Sequence, residues 1–201
     1  SFPPVVASVP IVLMENDPRV GSWFNIKAYF AATTNTAAQN TGFVQAAIAA
    51  AAAAGGGIYW PVGYFPINTI SINVPVLFAP GRSGPRPASG QTVTFTGTVT
   101  ADSSKHFDTV LGGTISFANS PILPVLDPNW WETNTIPGGT DMTAAIQAAI
   151  IATGGRGKVL IPQSTYKITD TLTDFPDLGG GYSMVILEGE GAYSSNLVNA
   201  A

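Results

Sequence analysis

The sequence predicts a mainly β fold, built as a parallel β-helix whose modules each open with a short Ala-rich helix. Three observations predict it. Short alternating strands recur along the chain, a helix–strand unit occurs twice, and glycine and proline act as spread punctuation rather than a tract. A β-sandwich spaces its strands in a similar way. The helix ahead of the strands favours the solenoid, because a first coil has an open apolar end that an amphipathic helix can cover.

The repeated unit anchors this reading. Val44-Gln45-Ala46-Ala47-Ile48 is echoed by Ile146-Gln147-Ala148-Ala149-Ile150. Glycines follow each: Gly55-Gly56-Gly57 in the first copy, Gly154-Gly155-Arg156-Gly157 in the second. Then come two short apolar runs ending in proline, Ile58-Tyr59-Trp60-Pro61 and Val159-Leu160-Ile161-Pro162. An aromatic and an isoleucine complete each copy, Phe65 with Ile67 and Tyr166 with Ile168. The copies lie about 100 residues apart, too far for one rung of a solenoid and suited to a duplicated module. Thr41 and Thr140 are placed to cap the two helices, with Asp141 adding favourable charge in the second. Val44, Ile48 and Ala51 share one helical face, as do Ile146 and Ile150. Glycine then supplies a left-handed end.

Strands fill the interval between the helices. Ile70-Ser71-Ile72-Asn73-Val74 and Thr92-Val93-Thr94-Phe95-Thr96 alternate strictly. Gly97 to Ala101 and Gly113 to Phe117 follow, and Tyr166 to Thr169 repeats the period after the second helix. Such runs return about every 20 residues, the spacing of stacked coils.

Composition sets bounds on function. The 201 residues make one large domain or two small ones. Charged residues are 10% of the chain, where an average soluble domain carries about 25%. Apolar residues at 45% exclude a disordered chain and suggest burial against partners. The 8 basic residues are scattered, so nucleic acid is not an expected partner. With no cysteine and one histidine, disulfides, thiolate metal sites and multi-histidine sites are excluded, and no metal or cofactor is expected. The longest apolar run, Val44 to Ala54, is about half of the roughly 20 residues a membrane span needs. No signal peptide is legible, and a start at Ser1 suggests processing or a place within a longer polypeptide. The segment Ser1 to Gly21, proline-containing and with almost no charge, reads as an extended arm that docks on a neighbouring subunit or a larger assembly.

Candidate chemistry is sparse. Glycoside hydrolysis needs two carboxylates flanking the bond. Glu188 and Glu190 are the tight pair, on one face of a strand if extended, although the glycine after each also suits a turn. Asp170, Asp174 and Asp177 share a loop but lack the spacing of a calcium site. His106 reads as a packing or strand-end histidine. No nucleophile elbow and no phosphate loop are present. Trp60, Trp130 and Trp131 are candidates for glycan stacking or interface burial, with Trp23, Tyr59 and Tyr64 beside them. In an extended segment, Trp130 and Trp131 would point opposite ways.

These residues also carry a family likeness. Phe24 to Ala31, Val44 to Ile48 and Gly55 to Pro61 resemble the opening of pectate-lyase-like right-handed β-helix proteins. Gly139 to Gln147 matches the middle of that opening more closely, and Leu187-Glu188-Gly189-Glu190-Gly191 a later turn. Val74 to Trp131 is similar to a segment of phage tailspikes and tail-fibre adhesins, through Gly90 to Ala101, His106-Phe107, Gly113 to Phe117 and Pro128-Asn129-Trp130-Trp131. The first copy departs from the pattern, with Ala28 and Phe30 in place of Asp and Gly and no acidic residue in Thr33 to Thr41.

The resemblance implies an arm over 1–22, a first right-handed β-helix-like module over 23–127 and the start of a second, truncated one over 128–201. It implies a virion protein of the phage tail, extracellular and homotrimeric, that contacts tail or baseplate proteins and presents a region binding host surface polysaccharide, with no membrane insertion. Two alternatives stay open. One is a polysaccharide lyase or hydrolase, a capsule or pectin-type depolymerase, whose catalytic coils lie beyond this chain. The other is a purely structural virion or appendage protein. No activity is expected within the 201 residues.

Overall fold

The computed structural model describes residues 23–118, 120–177, 183–190 and 195–199. The expected arm over 1–22 lies outside the described residues. Among the described residues the chain is mainly strand, with two α-helices, and its paired strands run parallel.

Strand β1 (Trp23–Asn25) leads through one 3-10 turn into α1 (Ala37–Ala54). The helix starts where a capping box forms: the Gln39 amide N–H donates to Thr36 Oγ1 at 3.3 Å, and the Thr36 N–H donates to Gln39 Oε1 at 3.0 Å. Gly55, at φ 66°, closes it in the left-handed region. The expected cap, Thr41, stands instead inside the helix. Its hydroxyl donates to the Ala37 carbonyl at 2.7 Å and accepts the Asn68 N–H at 2.9 Å. Val44, Ala47, Ile48 and Ala51 form the buried face, as their spacing predicts.

Beyond α1 the chain passes repeatedly through three sheets. Strands β2 (Gly57–Trp60), β3 (Gly63–Ile67) and β4 (Ile70–Ile72) make the first pass. Strands β5 (Val76–Phe78), β6 (Ser83–Pro87) and β7 (Thr92–Phe95) make the second in the same order. Strands β8 (Val99–Thr100) and β9 (Thr114–Ser116) return to the first and third sheets. The sheets are β1-β2-β5-β8, β3-β6 and β4-β7-β9. Register places equivalent residues in columns: Ile58 opposite Val76 opposite Val99, and Ile70 opposite Val93 opposite Ile115. Alternate residues point inward, so Ile58 and Trp60 are fully buried while Tyr59 is half-buried.

Strand β6 carries prolines at 85 and 87, which argue against a strand in the sequence. They fit because both point inward, opposite Phe65 and Ile67, and because their carbonyls remain free to accept. The Asp108 N–H donates to the Pro85 carbonyl at 3.2 Å.

The second copy follows β10 (Val125–Leu126) and a 3-10 turn over Pro128–Trp130. Its helix α2 (Thr143–Ala152) precedes β11 (Arg156–Ile161), β12 (Ser164–Ile168), β13 (Met184–Gly189) and β14 (Ser195–Asn199). Two sheets result, β10-β11-β13 and β12-β14. Met142, at the start of α2, makes no side-chain cap. The expected cap, Thr140, accepts the Ile136 N–H in the preceding turn at 3.0 Å, and Asp141 accepts the Thr143 N–H at 3.0 Å. The left-handed glycine, Gly154 at φ 64°, follows Thr153 rather than capping directly.

Buried residues of both copies join in a single hydrophobic cluster. At the seam the Phe117 N–H donates to the Ala152 carbonyl at 2.7 Å. Phe107 packs there against Phe78, Phe95, Phe117, Trp130 and Trp131, with ring centroids 4.8 to 6.2 Å away. Edge-on aromatic contacts of this kind each add about 0.5–1.5 kcal/mol beyond burial.

Candidate functional site

The tryptophans named as glycan-stacking or interface candidates are core residues of the chain itself. Trp60 is 0% exposed, Trp130 7% and Trp131 6%. A stacking platform needs an open ring face, and none of the three has one. Trp130 and Trp131 do not point opposite ways, because Pro128–Trp130 is a tight turn rather than a strand. Both rings therefore close on Phe107, and the Trp130 indole N–H donates to the Asp102 carbonyl at 2.8 Å.

Glu188 and Glu190 separate in role. Glu188 belongs to β13 and pairs with Lys158 on the neighbouring strand, Nζ to Oε2 at 2.7 Å. Glu190 lies just past the strand, where its Oε2 accepts the Gln163 N–H at 3.4 Å. Its charge also acts on Asp127. Burial raises the Asp127 carboxyl above the usual carboxylate range; the Ser103 and Asn129 hydrogen bonds pull it back down, and the Glu190 charge adds to the rise. Asn129 donates through Nδ2 to Asp127 Oδ1 at 2.9 Å and to the buried Tyr166 hydroxyl at 3.4 Å. Tyr166 is itself raised, first by burial, with the Asp127 and Glu190 charges contributing. The half-buried Asp127 carboxyl and the buried Tyr166 hydroxyl thus share the Asn129 amide, and the charge of the exposed Glu190 acts on both. Sequence reasoning placed Glu190 with its neighbour in the chain.

A second polar group runs along the side of the β3-β6 sheet. The Tyr64 hydroxyl donates to the Lys105 carbonyl at 2.9 Å, and burial pushes it up to about 12. Arg86 Nε donates to Asp108 Oδ2 at 2.7 Å, and Lys105 Nζ meets Glu132 Oε2 at 3.0 Å. A groove of about 400 Å³ opens beside it, lined by Lys105, Thr109, Trp131, Glu132 and Asp141 among others. Asp141 is held down to about 2 by hydrogen bonds from Thr169 and Thr143. It is therefore a carboxylate committed to holding the helix start, not a proton donor.

Ser83, His106 and Asp102 come together from two passes. His106 Nδ1 lies 3.1 Å from Ser83 Oγ, and Nε2 lies 2.7 Å from Asp102 Oδ1. These are the residue types of a hydrolytic triad, but Ser83 and His106 are 0% exposed and the Ser83 hydroxyl donates to the Ala79 carbonyl at 2.7 Å. The hydroxyl has no open face toward a substrate. Among the described residues, no group of three or more His, Cys, Asp or Glu side chains could hold a metal ion, and the loop bearing Asp170, Asp174 and Asp177 forms no such group. No helix among them is long and apolar enough to cross a membrane.

No known protein family, curated protein or solved structure matches this chain.

Proposed function

We propose that this chain is a structural module of a phage tailspike or tail-fibre adhesin, a right-handed parallel β-helix that attaches to the tail and presents a host-glycan-binding region. The observation that carries the reading is the ordered return of the chain to the same three sheets around one apolar core. Such a stack is a rigid spacer, because each pass is held by its neighbours through backbone hydrogen bonds and inward side chains. Right-handedness accords with the strong preference of parallel crossovers. The segments that carry the family likeness also fall at equivalent places, each a helix followed in the chain by strands that pair in parallel. A homotrimer docked on tail or baseplate proteins, outside the cell, completes the proposal.

The test is mass spectrometry of purified tails from the particle that encodes the chain. Peptides of this sequence in stoichiometric amount in the tails are expected. Their absence from tails, with the protein present elsewhere, overturns the proposal.

One observation favours a second reading, polysaccharide cleavage. Burial raises the Asp127 carboxyl, the direction a proton donor needs, and the charge of the exposed Glu190 acts on it. Incubating the chain with acidic and neutral bacterial polysaccharides and assaying new chain ends decides it. Cleavage that Asp127→Asn and Glu190→Gln both abolish would establish the enzyme; no new ends would leave the structural role.

A further inference from the structure

The ladders are interrupted where the two copies meet. Strand β8 is the last of the sheet β1-β2-β5-β8, and β10 is an outer strand of the sheet β10-β11-β13. The two strands do not pair with each other. The Thr98 carbonyl accepts the Val76 N–H and the Pro124 carbonyl accepts the Lys158 N–H, both at 2.8 Å. Backbone groups of successive residues point to opposite sides of a strand. The N–H and C=O of Val99 and Val125, which stand opposite Val76 and Lys158, therefore turn away from these ladders. Both free edges line one groove of about 210 Å³. Its buried residues are Phe117, Leu126 and Trp130, and Ile122, Leu123 and Val125 stand exposed around them. No charged side chain lines it. A free strand edge beside exposed apolar side chains is a template for one more strand.

We propose that this groove is a strand-accepting slot and that residues 5–9 of the same chain fill it, extended between β8 and β10. The run Val5-Val6-Ala7-Ser8-Val9 holds three valines and lies between Pro4 and Pro10. Extended, it puts Val5, Ala7 and Val9 on one face, an apolar row for an apolar floor. Strands β8 and β10 are two residues each, so this short run covers both edges. The prolines, which lack an N–H, then fall outside the paired stretch. Charge agrees as well. None of residues 1–14 carries a charged side chain, matching the uncharged groove, and Glu15, Asp17 and Arg19 come only after the run. The connection is long enough. The slot lies four strand spacings from β1, about 19 Å. The 13 residues from Pro10 to Ser22, extended, span about 43 Å. Such a tether holds the run near the slot at about millimolar concentration, which favours the chain's own segment over a neighbour's.

Amide hydrogen exchange of the full chain, read by mass spectrometry, tests this. Peptides covering residues 5–9, 98–100 and 124–126 are expected to exchange at least about tenfold more slowly than an unstructured chain. Free exchange over 5–9 overturns the proposal. Val6→Asp puts a charge into the run and leaves every core residue in place. It is expected to speed exchange in all three segments while β2 and β5 stay protected. Acceleration confined to 5–9 means that the run sits elsewhere, and it overturns the slot. Val125→Lys changes the groove from its other side, at an exposed position. It is expected to release 5–9 with β11 still protected; a run that stays protected in that variant overturns the proposal. Dilution separates the chain's own run from a neighbour's. Protection of 5–9 is expected to be independent of protein concentration, and its loss on dilution overturns the intramolecular assignment.

Discussion

The two copies of the helix–strand unit solve one problem with different atoms. In each, a threonine near the start of the helix captures the backbone just past the second strand of the unit. Thr41 Oγ1 accepts the Asn68 N–H at 2.9 Å, and Thr143 Oγ1 accepts the Thr169 N–H at 2.9 Å. One residue earlier the copies diverge. Asn40 is fully buried in the first, donating through Nδ2 to the Ala32 and Pro66 carbonyls and accepting the Ala32 N–H. Met142, fully buried in the second, is apolar. The first helix has 18 residues and a capping box; the second has 10 and no side-chain cap. The difference follows position. Helix α1 fastens a loop, Phe30 to Asn35, through Asn40, whereas α2 is wedged against the aromatic seam and is held by packing.

The largest expected effects test whether packing holds α2. Ile150→Asp places a charge where the side chain is 0% exposed, and unfolding by urea should show a loss of about 4 kcal/mol. Ile48→Asp, at 9% exposure, should lose distinctly less. Equal losses would erase the distinction between the two helices. Next come the residues at which the copies diverge. Asn40→Met strands the Ala32 and Pro66 groups, and Met142→Asn buries an amide without partners. Each should cost about 2–3 kcal/mol in the same assay. A silent swap in either direction would mean that the two sites are interchangeable.

Smaller effects probe what the copies share. Thr41→Val and Thr143→Val each remove a hydroxyl that both donates and accepts, and should each cost about 1–2 kcal/mol, nearly equally. Unequal values would break the equivalence of the two threonines. The smallest effect concerns Asp127, which lies ahead of the second copy. Its folded carboxyl is raised, so the protonated form favours folding at low pH and ionisation removes that advantage as pH climbs. Asp127→Asn should therefore gain melting temperature relative to wild type on going from about pH 3 to pH 7. A relative loss over that range would reverse the assigned direction.

Much of this comparison was legible in the chain. The duplication, the buried helix faces and the alternating strands β4, β7 and β9 are local patterns, and local patterns survive in sequence. Strand β6 was not legible, because prolines 85 and 87 argue against a strand until their inward direction is known. The expected caps, Thr41 and Thr140, are not the caps, because composition alone does not separate them from their neighbours: Thr36 caps α1, and no side chain caps α2. The burial of Trp130 and Trp131 depends on a turn that two adjacent aromatics do not announce. The Asp127–Asn129–Tyr166 and Asp102–His106–Ser83 groupings arise from stacking of successive passes. No residue spacing encodes them without the register.

The aromatic column bears on how the molecule would answer a mechanical load. Its strands lie across the stacking direction, so tension along that direction opens backbone ladders one after another, as a zipper does. Such ladders yield at low force, because few bonds share the strain at any instant. Phe78 and Phe95 of the second pass, Phe107 and Phe117 of the third and the Trp130–Trp131 corner interlock across those same boundaries. To peel one pass from the next, the pull must withdraw several rings together. The column thus acts as a rivet, making rupture at the seam a concerted event where a plain stack would fray.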